Sequence, residues 1–527
     1  MIQRKTQTVD YWQNYTLTPI DIEFLHTRLL DAEQPMTQRE LALALIGDHC
    51  HREESQLRGE LSRGTVYQPR RHFQVGEKVL FPAFEFRLAE VIAVRPGQNR
   101  EYGEFEVITV DFGPERRQRE FAAGLTAPHK LNVEMLDLLA TDDLASPEKL
   151  LTTVAAHVPA ALAAQLATQP DFASFENRWL LRDLMAETHV GHLNIAEALI
   201  EVRGAPVETT ALLKELDLPG EIRRDVLAFS LQSALTADGR FDKVGPNESR
   251  RWYLRRLEPP EALEIPLPLR YTAIPYDKEA LPVELRQLEW ELDDEWSDEV
   301  KAEPSALRAA IPTTTLLLTY PHLASGTLPL NKHSRPFFPR GYGARTAVTL
   351  IDGRWGQRFL GWVVHAGRYV AGLRAWFEQH KLPAGAVITL ERRDNSGDIV
   401  VDFRPKRMRR EWTRRALISD ANRLDIELRK VEVTCEYDEQ IIIGADKPEE
   451  LLKLRTLPAY ASIPLGELVY HFFTDLAGLS GVGNVHAKTI YSAVNLVRRC
   501  PPGPIFAVLA TDPRLQIIGD DSYRLAV

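Results

Sequence analysis

Cysteine is scarce, with only Cys50, Cys435 and Cys500 in 527 residues, far apart and odd in number. That excludes a disulfide framework and a zinc knuckle, and it fits a reducing, cytoplasmic compartment. His49, Cys50 and His51 adjoin, but adjacent side chains seldom converge on one ion and no CxxC or HxxxH accompanies them, so no metal is expected. Long apolar runs are missing too: none approaches the ~20 residues needed to cross a bilayer. The start, MIQRKTQTVDYWQNYTLTP, has no apolar core that could act as a secretory signal, so no membrane partner is expected. Catalytic signatures are equally absent: there is no GxSxG, no HExxH and no protein-kinase signature set. GLSGVGNVHAKT, residues 478–489, looks like a phosphate loop, but Asn484 follows Gly483 and Lys488 comes four residues late to meet the phosphates. Glu299-x-Lys301 imitates a nuclease motif yet lies in an acid-rich stretch where no strand is expected, and Asp402 and Lys406 are wrongly spaced for one. These absences point to a non-enzymatic chain without a cofactor.

What is present is an ordinary globular composition, 44% hydrophobic and 26% charged, in a chain long enough for roughly three to five domains. The net charge of -10 conceals a segregation. Residues 335–415 hold 17 Lys/Arg against 7 Asp/Glu, a balance of +10, which leaves -20 for the rest of the chain. Residues 277–303 hold 11 acids against 3 bases. A basic block of this kind is the footprint of a polyanion-binding module, or else a solvated face. The acidic stretch reads as a linker or solvated helix, or as a DNA-mimicking cover for the basic block.

Cap signals begin two short helices within residues 17–65. Thr18 precedes Pro19, and Thr37 stands three residues before Glu40 in capping-box spacing. Between about 72 and 125 the period changes to two, with turns at Pro96-Gly97 and Tyr102-Gly103, which predicts a small SH3-like antiparallel barrel. Residues 131–235 return to helix. Residues 314–404 alternate again, with RAWFEQHKL as one helix among seven short strands, and predict a partly open barrel. The expected fold is therefore α+β and multidomain. Its parts are a helical or winged-helix unit at 1–70, a small barrel at 71–128, a helical region ending in a winged helix at 129–260, an acidic linker at 261–309, a seven-stranded barrel with a basic tail at 310–416, connecting strands and helix at 417–460, and a final winged-helix unit at 461–527.

Two stretches, DGRFDKVGPNESRRWYL (238–254) and DPRLQIIGDDSYRL (512–525), share the pattern Asp-x-Arg-apolar-x-x-apolar-Gly-turn-aromatic-x-Leu, each directly after a helix. This resembles the HARE-HTH winged helices of chromatin proteins, restriction enzymes and an RNA polymerase accessory subunit, over about 178–257 and 461–527. LSGVGNVHAKTI also has the shape of a helix-hairpin-helix turn, but under the winged-helix resemblance it becomes a loop feeding a helix, with PPGPIFAVLATD as the next helix. That last helix offers almost no side chain able to read bases. Arg223, Arg224, Arg250 and Arg251 supply the middle copy better, as DNA contacts or as solvated surface.

SGTLPLNKHSRPFFP and GRYVAGLRAWFEQHKLPAGAVITLERR make residues 314–404 similar to the B-three DNA-binding pseudobarrel of plant transcription factors and restriction endonucleases. The resemblance implies two arms that grip double-stranded DNA, 322–333 and 365–368. Lys332, His333, His365 and Arg368 would meet phosphates or base edges, with Ser325 and Asn331 as hydrogen-bonders. Arg374 would hold the backbone, and Arg335, Arg340 and Arg345 would add phosphate contacts. The second arm, VVHAG, is apolar and short where the family is often polar. RPKRMRREWTRR then places Arg404, Lys406, Arg407, Arg409, Arg410, Arg414 and Arg415 in twelve positions, a strip suited to a phosphate backbone. The chain is thus expected to bind DNA in transcription regulation or at the nucleoid. The alternatives are the recognition subunit of a restriction or defence system with a separate nuclease, and a scaffold docking on RNA polymerase or another partner.

Overall fold

The computed structural model describes residues 4–13, 15–84, 86–113, 118–132, 144–246, 251–279, 281–297, 312–339, 343–393, 398–419 and 422–526. They form two compact units, residues 1–188 with 218–233, and residues 189–217 with 234–527.

In the first unit the caps act where the sequence places them. After α1 (Val9–Gln13), Thr18 and Asp21 close a capping box at the start of α2 (Pro19–Ala32). Thr37, at the end of β1 (Met36–Thr37), does the same with Glu40 to start α3 (Gln38–Leu61). Five strands follow, β2 (Thr65–Val66), β3 (Lys78–Phe81), β4 (Arg87–Pro96), β5 (Glu106–Asp111) and β6 (Arg119–Ala123), paired in that order. Val79, Phe81, Val91, Ile108 and Val110 fill their core. Helices α4 (Pro147–Thr153) and α5 (Val158–Leu166) then lead to a hairpin of β7 (Phe172–Phe175) and β8 (Arg178–Leu181), and β8 takes β1 as its other neighbour. One core joins the two ends of this stretch: Trp12, Leu25, Leu41 and Leu45 pack with Leu150, Leu162 and Trp179. The five-stranded sheet is therefore an insertion into a helical unit that spans residues 4–61 and 144–181.

The order helix, short strand, helix, helix, hairpin, one helix fewer than in this first copy, occurs twice more. The second copy has α6 (Val190–Arg203), β9 (Val207–Glu208), α7 (Thr209–Glu215), α8 (Arg224–Ala237), β10 (Phe241–Lys243) and β11 (Arg251–Leu254). All three hairpins place the short strand beside their second strand, in the orders β7-β8-β1, β10-β11-β9 and, at the carboxyl end, the equivalent below. The shared Asp-x-Arg motif has a structural duty. Arg240 donates to Asp238 (2.7 Å) and pairs with Glu197 on α6, so the hairpin is pinned to the first helix of its own repeat.

The second unit continues with α9 (Pro260–Leu263), α10 (Val283–Leu292) and a seven-stranded sheet. Its strands are β12 (Thr313–Leu317), β13 (Thr327–Pro329), β14 (Arg345–Asp352), β15 (Arg358–Val364), β16 (Tyr369–Ala371), β17 (Val387–Arg392) and β18 (Ile399–Phe403). They pair in the order β12-β17-β18-β14-β15-β16-β13, antiparallel except for β14 with β18, and the first and last do not meet, so the sheet is a half-barrel. Leu318, Leu350, Val363, Ile388 and Val401 fill it. Two helices accompany it, where the sequence pattern predicts one. The additional helix is α11 (Tyr320–Ser325), with Pro321 in its first turn and Gly326 ending it in the left-handed region. The expected helix is α12 (Arg374–His380).

The basic stretch is extended: β19 (Pro405–Ile418) pairs with β20 (Leu424–Cys435) in a two-stranded ribbon. Helices α13 (Pro448–Leu454) and α14 (Pro458–Ala461) lead to the third repeat. It comprises α15 (Leu465–Leu479), β21 (Val485–His486), α16 (Ala487–Val497), α17 (Pro502–Thr511), β22 (Leu515–Gly519) and β23 (Ser522–Leu525), with the sheet order β22-β23-β21. Arg514 repeats the earlier pin, donating to Asp512 (2.7 Å) and pairing with Glu467 on α15 (3.1 Å). The glycine-rich loop at 478–484 indeed feeds a helix, α16, through β21.

The acid-rich segment is folded over its described residues. Leu285, Leu288 and Leu292 of α10 are buried in the core that also holds Phe472, Phe473 and Tyr491. No helix among the described residues is long and apolar enough to cross a membrane.

Candidate nucleic-acid interface

The ribbon follows from its sequence. Strand β19 is basic over PKRMRR and becomes apolar at ALI, and β20 pairs with it from Ile418 opposite Leu424 down to Arg409 opposite Val433. Ala416, Ile418, Leu424 and Ile426 anchor the far end in the helical core, while Val433 and Cys435 anchor the base in the half-barrel core. Between Pro405 and Arg409 the register slips, and four steps on β19 face two on β20. Lys406, Arg407 and Met408 lie in this bulge, and all three are exposed.

Beyond the bulge one face of the ribbon pairs Arg410 with Glu432, Trp412 with Lys430 and Arg414 with Leu428. Trp412 is 64% exposed, and the Lys430 ammonium sits 5.2 Å from the centre of its ring. Met408 and Leu428 are also exposed. Several cations have acid neighbours: Lys406 with Glu411 (2.8 Å), Arg410 with Glu432 (3.2 Å) and Arg404 with Glu436 (3.4 Å). Surface pairs of this kind are worth about 0.2–1 kcal/mol and exchange readily for another anion. Arg407 and Arg409 form no ion pair or side-chain hydrogen bond among the described residues. Arg414 and Arg415 turn toward the body. Burial lowers the Arg414 pKa, and its guanidinium donates to the Glu439 carbonyl (2.8 Å), while Arg415 pairs with Asp446 (3.0 Å).

The half-barrel residues singled out from the sequence are dispersed. Ser325 and Asn331 are buried, and Asn331 accepts from the Ser334 amide (2.8 Å). Arg335 donates to the Leu330 carbonyl (3.2 Å). Arg345 is wedged between Asp242 and Glu258. Burial pushes the Glu258 carboxyl up to about 7, although Arg345 pulls it down. His365 lies 3.3 Å from the Thr346 hydroxyl, and Arg374 pairs with Glu261 (2.9 Å). Arg340, Arg250, Glu299 and Lys301 lie outside the described residues.

Lys332, His333 and Arg368 do come together, on the acid-rich segment. Lys332 lies over the Trp290 ring (4.2 Å) and 3.8 Å from Asp293, and His333 is 3.9 Å from the same carboxylate. Arg368 stacks on Trp296 (4.3 Å) and donates to the Glu295 carbonyl (2.8 Å). The next residues of this segment are locked. Buried Arg499 bonds Asp294 (2.8 Å) and Glu295 (2.6 Å), and the Tyr491 hydroxyl donates to Asp294 (2.7 Å). Burial raises the Asp294 pKa. It would raise Glu295 too, but Arg499 and His322 hold Glu295 well below the carboxylate range.

Trp412, Met408, Leu428 and Lys430 are the members of this surface that sequence reasoning missed. The signal for Trp412 was its place inside the basic run; Lys430 and Leu428 reach it only through strand pairing. Among the described residues no group of three or more His, Cys, Asp or Glu is placed to hold a metal ion. The chain matches no family model and no curated protein at a significant level.

Proposed function

We propose that this chain is a non-enzymatic, double-stranded DNA-binding protein acting in transcription regulation or at the nucleoid, and that its contact surface is the β19–β20 ribbon. One observation carries the reading: in a chain of net charge -10, five neighbouring cations are exposed together, Arg404 just before β19 and Lys406, Arg407, Arg409 and Arg410 on it, and Arg407 and Arg409 form no ion pair or side-chain hydrogen bond among the described residues, Arg409 sensing Glu411 only at longer range. A two-stranded ribbon is one of the shapes that the major groove of B-DNA admits. The half-barrel from which it springs is read as a B-three-like pseudobarrel, supported by its seven strands and two short helices. Its arm positions are taken up by the acid-rich segment, so the reading rests on the ribbon and not on the arms. The second and third repeats are read as HARE-HTH-like winged helices and the first as a winged-helix unit, supported by their common sheet order.

A mobility shift with random duplex over a salt series tests this. Retention weakens with salt, and Arg407→Ala/Arg409→Ala makes the slope of log K against log[salt] shallower by about 2, one unit for each phosphate no longer neutralised. An unchanged slope removes the ribbon from the interface. A protein-docking role for the third repeat is the second reading, favoured because α17, PGPIFAVLAT, has no Arg, Lys, Asn or Gln with which to read a groove.

A further inference from the structure

A tryptophan that is 64% exposed on a charged ribbon is not placed for packing. Met408, at 62%, and Leu428, at 43%, are exposed on the same ribbon. Isolated exposed apolar side chains need no explanation. Here they stand among cations: Trp412 faces Lys430 across the strands, Leu428 faces Arg414, and Arg410 stands two residues from Trp412 on the same face. A protein partner covering that surface would bury lysine and arginine beside tryptophan at a desolvation cost. A nucleic acid meets both demands at once, with phosphates for the cations and a base face for the indole.

An intact duplex keeps its base faces stacked, so an aromatic ring on a ribbon reaches one only where a base is unpaired or a step is opened. Lys430 already lies over one side of the ring at 5.2 Å, and Trp412 keeps the greater part of its surface exposed. Arg407 and Arg409, which form no ion pair or side-chain hydrogen bond among the described residues, stand earlier on the same strand, where they can meet the neighbouring phosphates. We infer that Trp412 is a stacking platform for an unpaired base in DNA, so that the ribbon prefers duplex containing a bulge or gap to fully paired duplex. The inference rests on the DNA-binding reading and narrows it to a class of substrate.

The test uses the full chain at low salt. Fluorescence anisotropy compares a labelled perfect duplex, the same duplex with one extra unpaired thymine, and a single-stranded RNA of the same sequence. Wild type is expected to bind the bulged duplex about tenfold more tightly than the perfect one, the scale of one base–aromatic stack. Trp412→Ala is expected to bring the bulged duplex down to the affinity of the perfect one, and Trp412→Phe to keep most of the preference. Because Trp412 is exposed, near-UV and far-UV circular dichroism should show both variants folded. Salt-sensitive binding of both duplexes with no preference in wild type, or a preference that survives Trp412→Ala, overturns the stacking role and leaves the DNA-binding reading standing. Tighter binding of the RNA strand than of either duplex overturns the assignment to DNA. Failure to retain any of the three overturns the DNA-binding reading and this inference with it.

Discussion

Glu258 is buried against the half-buried Arg345, and burial dominates at the carboxyl, whose pKa rises from 4.5 to about 7. A folded-state pKa above the unfolded one means that folding takes up a proton. The stability tied to that proton is fully present below about pH 4.5 and is lost as pH climbs through about 7. Glu258→Gln removes this dependence. Relative to wild type, the variant gains on the order of 2–3 kcal/mol between pH 4.5 and 8, read as the difference in Tm at successive pH values. A difference that stays flat with pH contradicts the burial argument. Gly326 is constrained by geometry instead. It caps α11 at φ +67°, and a Cβ there would meet the Arg374 Cβ at 2.7 Å and its Cα at 3.1 Å. Gly326→Ala therefore costs about 2 kcal/mol or more, from left-handed strain plus the clash, measured by urea unfolding. Both residues escape sequence reasoning for one reason. Their neighbours, Arg345 for Glu258 and Arg374 for Gly326, are 87 and 48 positions away in the chain.

At the scale of elements, the helix starts were legible because a capping box lies within four residues of itself. Thr18 with Asp21 and Thr37 with Glu40 need nothing from elsewhere. The two Asp-x-Arg hairpins were legible for the same reason, since Asp238 with Arg240 and Asp512 with Arg514 are local pairs. The first copy of the repeat has no such pair. Its helices were legible at the amino end, but its strands are separated by the inserted five-stranded sheet, so its hairpin emerged only from the pairing of Met36 with Trp179. The acid-rich stretch read as a linker because its charge outweighs Leu285, Leu288 and Leu292, which are the residues that bury α10. Its hold on the third repeat is the buried cluster of Asp294, Glu295 and Arg499. Arg499→Met strands two carboxylates in the core and costs about 3–5 kcal/mol. Adding Asp294→Asn and Glu295→Gln recovers much of that loss, because the uncompensated charge is gone. Denaturant midpoints for the single and triple variants check this, and a triple variant no more stable than the single one refutes it.

For the whole molecule, charge sets the scale. A net charge of -10 opposes association with a polyanion, so on the proposed reading the basic ribbon has to overcome it locally. Replacing Arg404, Lys406, Arg407, Arg409 and Arg410 by Ala takes the net charge from -10 to -15, since five positive charges are removed. Duplex retention is then lost at every salt concentration in a mobility shift. Because those side chains are exposed and only three of them are in surface ion pairs, stability falls by no more than about 3 kcal/mol. Undiminished retention would place DNA binding elsewhere in the chain.

The segregation of charge, the change from helical to alternating period and the local caps and turns are properties of neighbours in sequence, and the sequence alone determined them. It therefore determined that the chain is mixed α+β, that residues 314–404 are strand-rich, and that the cations cluster at 404–415. Tertiary structure decided which of those cations remain available. Lys332, His333 and Arg368 are occupied by an earlier segment of the chain, Arg345 is enclosed by Asp242 and Glu258, and Arg414 and Arg415 are turned inward. Arg407, Arg409 and Trp412 stay outside because a bulge and a strand register put them there. The physical reason is that a side chain's charge is fixed by its chemistry, whereas its solvation and partners depend on which distant segments fold against it.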